Sequence, residues 1–117
     1  MGGELIVGVE KEVGTFTDEH GVTHKRYVKI VDFGALPNND IKNVNTGITG
    51  DCHMLSINGV AFSDNSGVIL PLPRVNSNVT YAIDLYAYKT SNTSAIRLTT
   101  YTDLSSYTAY VTLEYYK

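Results

Sequence analysis

Apolar and polar residues alternate with a period of two along most of the chain, without the three-to-four-residue spacing of an amphipathic helix. This alternation is typical of strands that bury one face. We predict seven or eight short strands, in an all-β antiparallel β-sandwich or a jelly-roll-like arrangement. The candidate segments are residues 12–16, 22–33, 41–48, 52–62, 68–75, 79–88, 94–100 and 108–116.

The side-chain pattern assigns faces to three of these segments. On the last one, Ala109, Val111, Leu113 and Tyr115 are predicted to face inward. On 79–88, Val79, Tyr81, Ile83, Leu85 and Ala87 share one face, and Tyr86 and Tyr88 the other. On 22–33, Tyr27, Val31 and Phe33 lie opposite Val28 and Ile30, so both faces are partly apolar. That composition indicates a strand covered on both sides.

Gly, Pro and Asn mark the connections. The segment "TDEHG", 17–21, has the composition of a hairpin turn. In "GALPNN", 34–39, Gly34 can take a positive φ, Pro37 has a fixed φ, and the asparagines favour turns. Leu36 is its one large apolar side chain. We predict that this connector crosses from one sheet to the other, with Leu36 in the core. Two prolines in 68–75 predict an edge strand or an extended segment, and Gly47 predicts an irregularity within 41–48.

Length and charge indicate the number of domains and exclude some classes of partner. A chain of 117 residues is one domain, which we place at 12–117, with 1–11 as a linker or expression remnant. The net charge is −3 and the basic residues are scattered, which argues against binding nucleic acid or an anionic membrane surface. No apolar run approaches the ~20 residues that a spanning helix needs, so we predict no membrane insertion. Charged residues make up 18% of the chain and nine residues are Tyr. Such a composition suits a surface covered by further copies or by a ligand.

Candidate catalytic and metal-binding groups are few. Cys52 and His53 are neighbours in a predicted strand, so their side chains point to opposite faces and cannot pair. Most acidic residues lie at predicted turns, where Asp usually bonds the backbone. We therefore predict no enzyme activity, no cofactor and no metal site. Asp18, His20 and His24 could hold a stray divalent ion, but solvated turn residues are the favoured interpretation.

Tyrosines give the clearest functional pattern. Their flat rings and hydroxyl groups suit stacking on sugars or contact with another subunit. The candidate ligand-binding residues are Tyr86, Tyr88, Arg97, Tyr101, Asp103 and Tyr107. The competing interpretation, favoured by burial statistics, is that the tyrosines cover a neighbouring sheet or protomer.

Several motifs occur in an order that resembles a known family. They are "EVGTF", "YVKIVDFGALPNN", "KNVNTGI", "LPLPRV" and "SSYTAYVTLEYYK". Together they resemble the C-terminal head domain of bacteriophage and prophage tail-fibre or receptor-binding proteins, over about residues 12–117. Two positions depart from that pattern: Phe16 stands where the family often has Trp, and Thr46 where it often has His.

The resemblance implies an all-β adhesin at the distal end of a homotrimeric virion fibre, made in the bacterial host cytoplasm. It would bind a host cell-surface receptor, either a saccharide or a protein, and three copies would add avidity to weak sugar contacts. The alternative is a structural trimerisation or capping domain of the fibre. An enzyme that degrades a surface polymer is a third, disfavoured possibility.

Overall fold

The protein folds into two antiparallel sheets in a computed structural model that describes residues 4–90 and 93–117. One sheet has the strand order β1-β2-β8-β4-β5 and the other β3-β7-β6. This arrangement confirms the predicted all-β sandwich. Within the described ranges, no helix is long and apolar enough to cross a membrane. The strands are β1 (Lys11–Thr17), β2 (Thr23–Ala35), β3 (Ile41–Asn45), β4 (His53–Phe62), β5 (Ile69–Leu72), β6 (Ile83–Thr90), β7 (Thr93–Thr100) and β8 (Thr108–Tyr116).

The core lies between the sheets and is centred on β8. The four side chains predicted to face inward on this strand, from Ala109 to Tyr115, are completely buried. Ile96 and Leu98 of β7 are also inaccessible to solvent and belong to the same cluster. Each such aliphatic side chain contributes about 1.5–3 kcal/mol by leaving water. The alternation along β7 and β8 therefore both fixes the register and holds the two sheets together.

The connector at 34–39 crosses between the sheets, as predicted, since β2 belongs to the five-stranded sheet and β3 to the three-stranded one. Leu36 is only 2% exposed, and its N–H donates to the carbonyl of Tyr107 at 3.0 Å. Gly34 has a φ of 79°, a backbone conformation that residues with a Cβ rarely adopt. This corner places β3 beside β7 and so defines one edge of the smaller sheet.

The predicted ends of two strands were wrong, for the same physical reason. Residues 79–81 form a 3₁₀ turn, and β6 begins only at Ile83. The Asn78 side chain accepts from the Thr80 N–H at 3.1 Å, which competes with strand pairing. Similarly, β3 ends at Asn45, whose side chain accepts from the Gly47 N–H at 2.7 Å. Gly47 therefore lies beyond the strand rather than interrupting it.

The ends of the larger sheet agree with the sequence. β5 is its edge strand and contains Pro71, as the two prolines predicted. At the other edge, β1 begins at Lys11, one residue before the predicted domain boundary. The preceding residues already bond to the sandwich: the Gly8 N–H donates to the Ile30 carbonyl at 2.8 Å, and Glu10 accepts from the Tyr115 hydroxyl.

Candidate functional site

The outer face of the three-stranded sheet carries a row of polar and aromatic side chains. The strand register places Asn43 of β3 and Tyr86 of β6 on either side of Arg97 in the central strand β7. Arg97 Nε donates to Asn43 Oδ1 at 2.8 Å, and Nη1 donates to the Tyr86 hydroxyl at 3.2 Å. We call this outer surface, with Tyr88, Asp84 and Tyr101, the Arg97 face.

Two tyrosine rings flank the guanidinium group. The Arg97 Cζ lies 5.1 Å from the ring centre of Tyr88 and 5.9 Å from that of Tyr86. At these distances the cation is attracted to the ring faces. The guanidinium has five N–H groups, so it retains donors for a ligand after bonding Asn43 and Tyr86. Its position is therefore fixed by three neighbours before any ligand arrives.

A carboxylate and a third tyrosine extend this face. The Tyr101 hydroxyl donates to Asp84 Oδ2 at 2.6 Å, and this bond raises the pKa of Tyr101. Both side chains are exposed. The second oxygen of Asp84 retains lone pairs that can accept from a ligand hydroxyl. Hydroxyl-rich ligands can thus meet both donors and acceptors on the Arg97 face.

This combination suits a saccharide. Tyr86 is 46% exposed and Tyr101 is 38% exposed, so each offers apolar ring surface to the C–H side of a sugar. Arg97, Asn43 and Asp84 are polar groups of the kind that orient a ligand in a binding site. Because the face is the open side of a sheet, it favours shallow binding over enclosure.

The structure brings together some of the predicted site residues. Tyr86, Tyr88 and Arg97 are in contact, and Tyr101 joins the same sheet face through Asp84. The other two predicted residues have contacts elsewhere. Asp103 Oδ1 accepts from the backbone N–H and hydroxyl of Ser105, and Tyr107 packs against the core while its carbonyl accepts from Leu36.

Asn43 was missed by the sequence analysis. Alternation along β3 would put its side chain on the face opposite to Val44, but the pairing of β3 with β7 could not be read from the sequence. Arg97 lies 54 positions further along the chain. The signal that could have found Asn43 is therefore the strand order, not a local motif.

A cavity of about 250 Å³ lies beside Tyr88, between the start of β4 and the end of β6. Residues 52–54, residues 87–89 and Ser94 line it. The Lys89 ammonium donates to Asp51 Oδ1 at 2.6 Å and to the Cys52 carbonyl at 3.1 Å. This pairing raises the pKa of Lys89 and lowers that of Asp51, so both groups stay charged. Burial raises the pKa of the Cys52 thiol, which therefore remains protonated and a poor nucleophile.

The outer face of the five-stranded sheet carries a second aromatic cluster. The ring of Tyr116 stacks on Phe16 and on His53, with centroids 4.8 and 4.9 Å apart. His24 also contacts Tyr116, and its Nε2 lies 2.9 Å from Asp18 Oδ2. The prediction that His24 is a solvated turn residue is wrong, because its imidazole is partly buried by these contacts. Among the described residues, no group of three His, Cys, Asp or Glu side chains could hold a metal ion.

The Asp18–His24 pair predicts a specific pH dependence of stability. The hydrogen bond to Asp18 raises the pKa of His24 above its ordinary value of 6.5. The stabilisation is therefore complete below pH 6.5 and is lost as pH rises through the folded-state pKa. Urea unfolding from pH 5.5 to 8.5 should show this loss in the wild type and a flatter profile in His24→Gln. The exposed His20→Gln serves as control; equal profiles for all three proteins would contradict the assignment.

The middle of the same outer face is apolar. Val7, Ile30, Val60 and Tyr110 surround a groove of about 310 Å³ together with polar neighbours. Val7 is 45% exposed, and Val60 and Tyr110 are each 37% exposed. Contiguous exposed apolar side chains of this kind are typical of a surface that another protein covers. The outer face of the three-stranded sheet thus carries the Arg97 face, and that of the five-stranded sheet carries an apolar groove beside the Tyr116 cluster.

No protein-family model, curated protein or solved structure matches this chain.

Proposed function

We propose that this chain is the head domain of a bacteriophage or prophage tail fibre, and that it binds a host cell-surface saccharide as a homotrimer. The observation that carries the proposal is the exposed Arg97 face, where a guanidinium is fixed between two tyrosine rings and an amide. The motif order from "EVGTF" to "YVTLEYYK" supports the fibre assignment by resemblance.

The two outer surfaces support a division of roles. The apolar surface around Val60 and Tyr110 on the five-stranded sheet is suited to contact between copies of the chain. The Arg97 face, on the opposite side of the sandwich, then stays available to the receptor. Three such faces on one fibre would bind together, so weak individual contacts would suffice for attachment.

The proposal is one of binding without catalysis. Glycoside hydrolysis commonly uses two carboxyl groups that flank the scissile bond. On the Arg97 face, the Asp84 carboxylate already accepts the Tyr101 hydroxyl and lies on the open side of a sheet. That arrangement favours holding a sugar over cleaving it.

The direct test is binding of the fluorescently labelled chain to a panel of Gram-positive and Gram-negative bacteria. We expect it to label particular strains, and mild periodate to remove that labelling because periodate cleaves the vicinal diols of saccharides. Protease treatment of the cells is the matched control and should leave the labelling intact. Loss after protease but not after periodate would identify a protein receptor. No labelling on any strain would favour the alternative of a structural trimerisation or capping domain, which the apolar face supports.

Light scattering tests whether the chain forms the proposed homotrimer in solution. We expect a mass near three times 12.8 kDa at low micromolar concentration, and a shift toward the monomer for Val60→Lys, which puts a charge on the apolar surface. Ser56→Lys, an exposed position on the same strand, is the control. A monomeric wild type would contradict self-association through this surface alone.

A further inference from the structure

Arg97 carries a positive charge that its own contacts do not balance. Its hydrogen-bond partners are the Asn43 amide and the Tyr86 hydroxyl, and both are neutral groups. Arg97 takes part in none of the ion pairs formed within residues 4–90 and 93–117. By contrast, Arg26 on the other sheet pairs with Glu114 at 3.0 Å. A guanidinium group that stays charged and has only neutral partners can take an anion from outside the chain.

The residues around this charge present mainly hydrogen-bond donors. Asn43 Oδ1 accepts from Arg97 Nε, which fixes the orientation of the amide and leaves its NH₂ group to donate. The Tyr86 hydroxyl accepts from Arg97 Nη1 and keeps its own hydrogen as a donor. Arg97 retains N–H groups beyond the two that bond these neighbours. A ligand group that only accepts, such as an oxyanion, matches this set best.

A small residue lies beside the guanidinium on the same outer face. On β7 the outward residue before Arg97 is Ala95, and the register places it between Asn45 and Tyr88. Asn45 Oδ1 accepts from the Gly47 N–H at 2.7 Å, so the NH₂ group of Asn45 is also left to donate. A ligand that lies over the methyl group of Ala95 therefore has further donors next to Arg97.

Asp84, on the same face, opposes the binding of an anion. It pairs with Thr99, so it lies diagonally across from Arg97, and diagonal neighbours in a sheet have Cβ atoms roughly 7–8 Å apart. Coulomb energy varies inversely with distance. An oxyanion about 4 Å from the guanidinium is therefore attracted about twice as strongly as Asp84 repels it. The attraction to Arg97 exceeds the repulsion by Asp84.

We infer that the Arg97 face binds an acidic saccharide, with a carboxylate or phosphate oxygen of the sugar accepting hydrogen bonds from Arg97 and Asn43. This inference rests on the proposed saccharide-binding function and adds the class of sugar to it. A neutral saccharide leaves the guanidinium charge unpaired and binds more weakly. The net charge of the chain is −3, so a preference for acidic polymers has to come from this local cation.

The test is binding of the labelled full chain to purified bacterial surface polysaccharides, both acidic and neutral. We expect the acidic ones to bind. Reducing their carboxylates to alcohols with carbodiimide and borohydride, or removing phosphate esters with hydrofluoric acid, should weaken binding about tenfold. The treatment that acts tells a carboxylate from a phosphate. Binding that survives both treatments, or is confined to neutral polysaccharides, would overturn the inference and leave the proposed function standing. No binding to any polysaccharide would overturn both.

Asn43→Asp tests the unpaired charge directly. The variant keeps an oxygen that accepts from Arg97 Nε but adds the carboxylate that the wild type lacks. Binding of acidic polysaccharides should therefore fall about tenfold. Asn65→Asp adds the same charge at an exposed position between β4 and β5, and as the matched control it should bind like the wild type. Unchanged binding by Asn43→Asp, or an equal loss in Asn65→Asp, would overturn the placement at Arg97.

A second variant covers the case in which Asn43→Asp does not fold. Arg97→Gln removes the charge but keeps an amide that can donate, and it should also lose about tenfold in binding of acidic polysaccharides. Arg26→Gln, on the outer face of the other sheet, is the control and should keep that binding. Undiminished binding by a folded Arg97→Gln protein would overturn the inference.

Discussion

Replacing Tyr115 with alanine is expected to destabilise the sandwich by about 3–5 kcal/mol, the usual cost of deleting a large buried aromatic side chain. Tyr115 is the largest fully buried residue, and its ring stacks on Tyr27 with centroids 5.8 Å apart. Domains of this size are commonly stable by only about 5–15 kcal/mol. Urea unfolding should therefore show a midpoint far below that of the wild type, or no folded baseline.

The contribution of the Tyr115 hydroxyl to stability can be measured separately from that of the ring. It donates to the Glu10 carboxylate, which also pairs with Lys117 at 3.2 Å. Tyr115→Phe keeps the ring and loses this charged hydrogen bond, so we expect about 1.5–3 kcal/mol of destabilisation.

Glu114→Ala is the control on the same strand, since Glu114 lies on the opposite face and its partly exposed ion pair with Arg26 should contribute less than about 1 kcal/mol. A neutral Tyr115→Phe would show that the Glu10 contact contributes nothing to stability. Equal losses for Glu114→Ala and Tyr115→Ala would contradict the assignment of the two faces of β8.

Replacing Arg97 with alanine should produce the largest loss of receptor binding. Arginine residues held among aromatic groups are frequent hot spots, and their removal commonly costs about 2 kcal/mol or more, or about 30-fold in affinity. The variant should keep the fold, because the guanidinium lies on the outer face and its partners Asn43 and Tyr86 are themselves exposed. Affinity for the cell-surface polysaccharide, measured by surface plasmon resonance, is the readout.

Arg97→Lys refines this prediction. Lysine keeps the charge but lacks the planar fork that bonds Asn43 and Tyr86 at the same time. We expect binding between that of the wild type and that of Arg97→Ala. Arg26→Ala is the matched control, since Arg26 pairs with Glu114 on the outer face of the other sheet. A loss of binding in Arg26→Ala as large as that in Arg97→Ala would place the receptor site away from the Arg97 face.

Local alternation predicted much of the fold, because a residue's face depends only on its position in a strand. The inward set of β8 was predicted in this way, whereas the crossing at Leu36 was predicted from the Gly, Pro and Asn residues of the connector. Strand ends were predicted less well. Side chains such as Asn78 accept hydrogen bonds from the nearby backbone, and these bonds take the place of the next backbone hydrogen bonds between strands.

The candidate site was predicted only in part, because its geometry depends on strand order. Tyr86 and Tyr88 were placed on an outward face by alternation, but the contact of Asn43 with Arg97 joins distant segments. Asp103 and Tyr107 were included because they are near Tyr101 in sequence. The loop that carries them pairs with the connector through an isolated bridge between Asn38 and Asp103.

An array of purified bacterial surface polysaccharides, probed in parallel with the wild type, Arg97→Ala and Arg26→Ala, is the sharpest test of whether the Arg97 face binds saccharide. We predict that the wild type and Arg26→Ala bind the same polysaccharides with similar strength, while Arg97→Ala loses most of that binding and stays folded. Undiminished binding by a folded Arg97→Ala protein, or no polysaccharide bound by the wild type, would contradict a saccharide-binding role for this face.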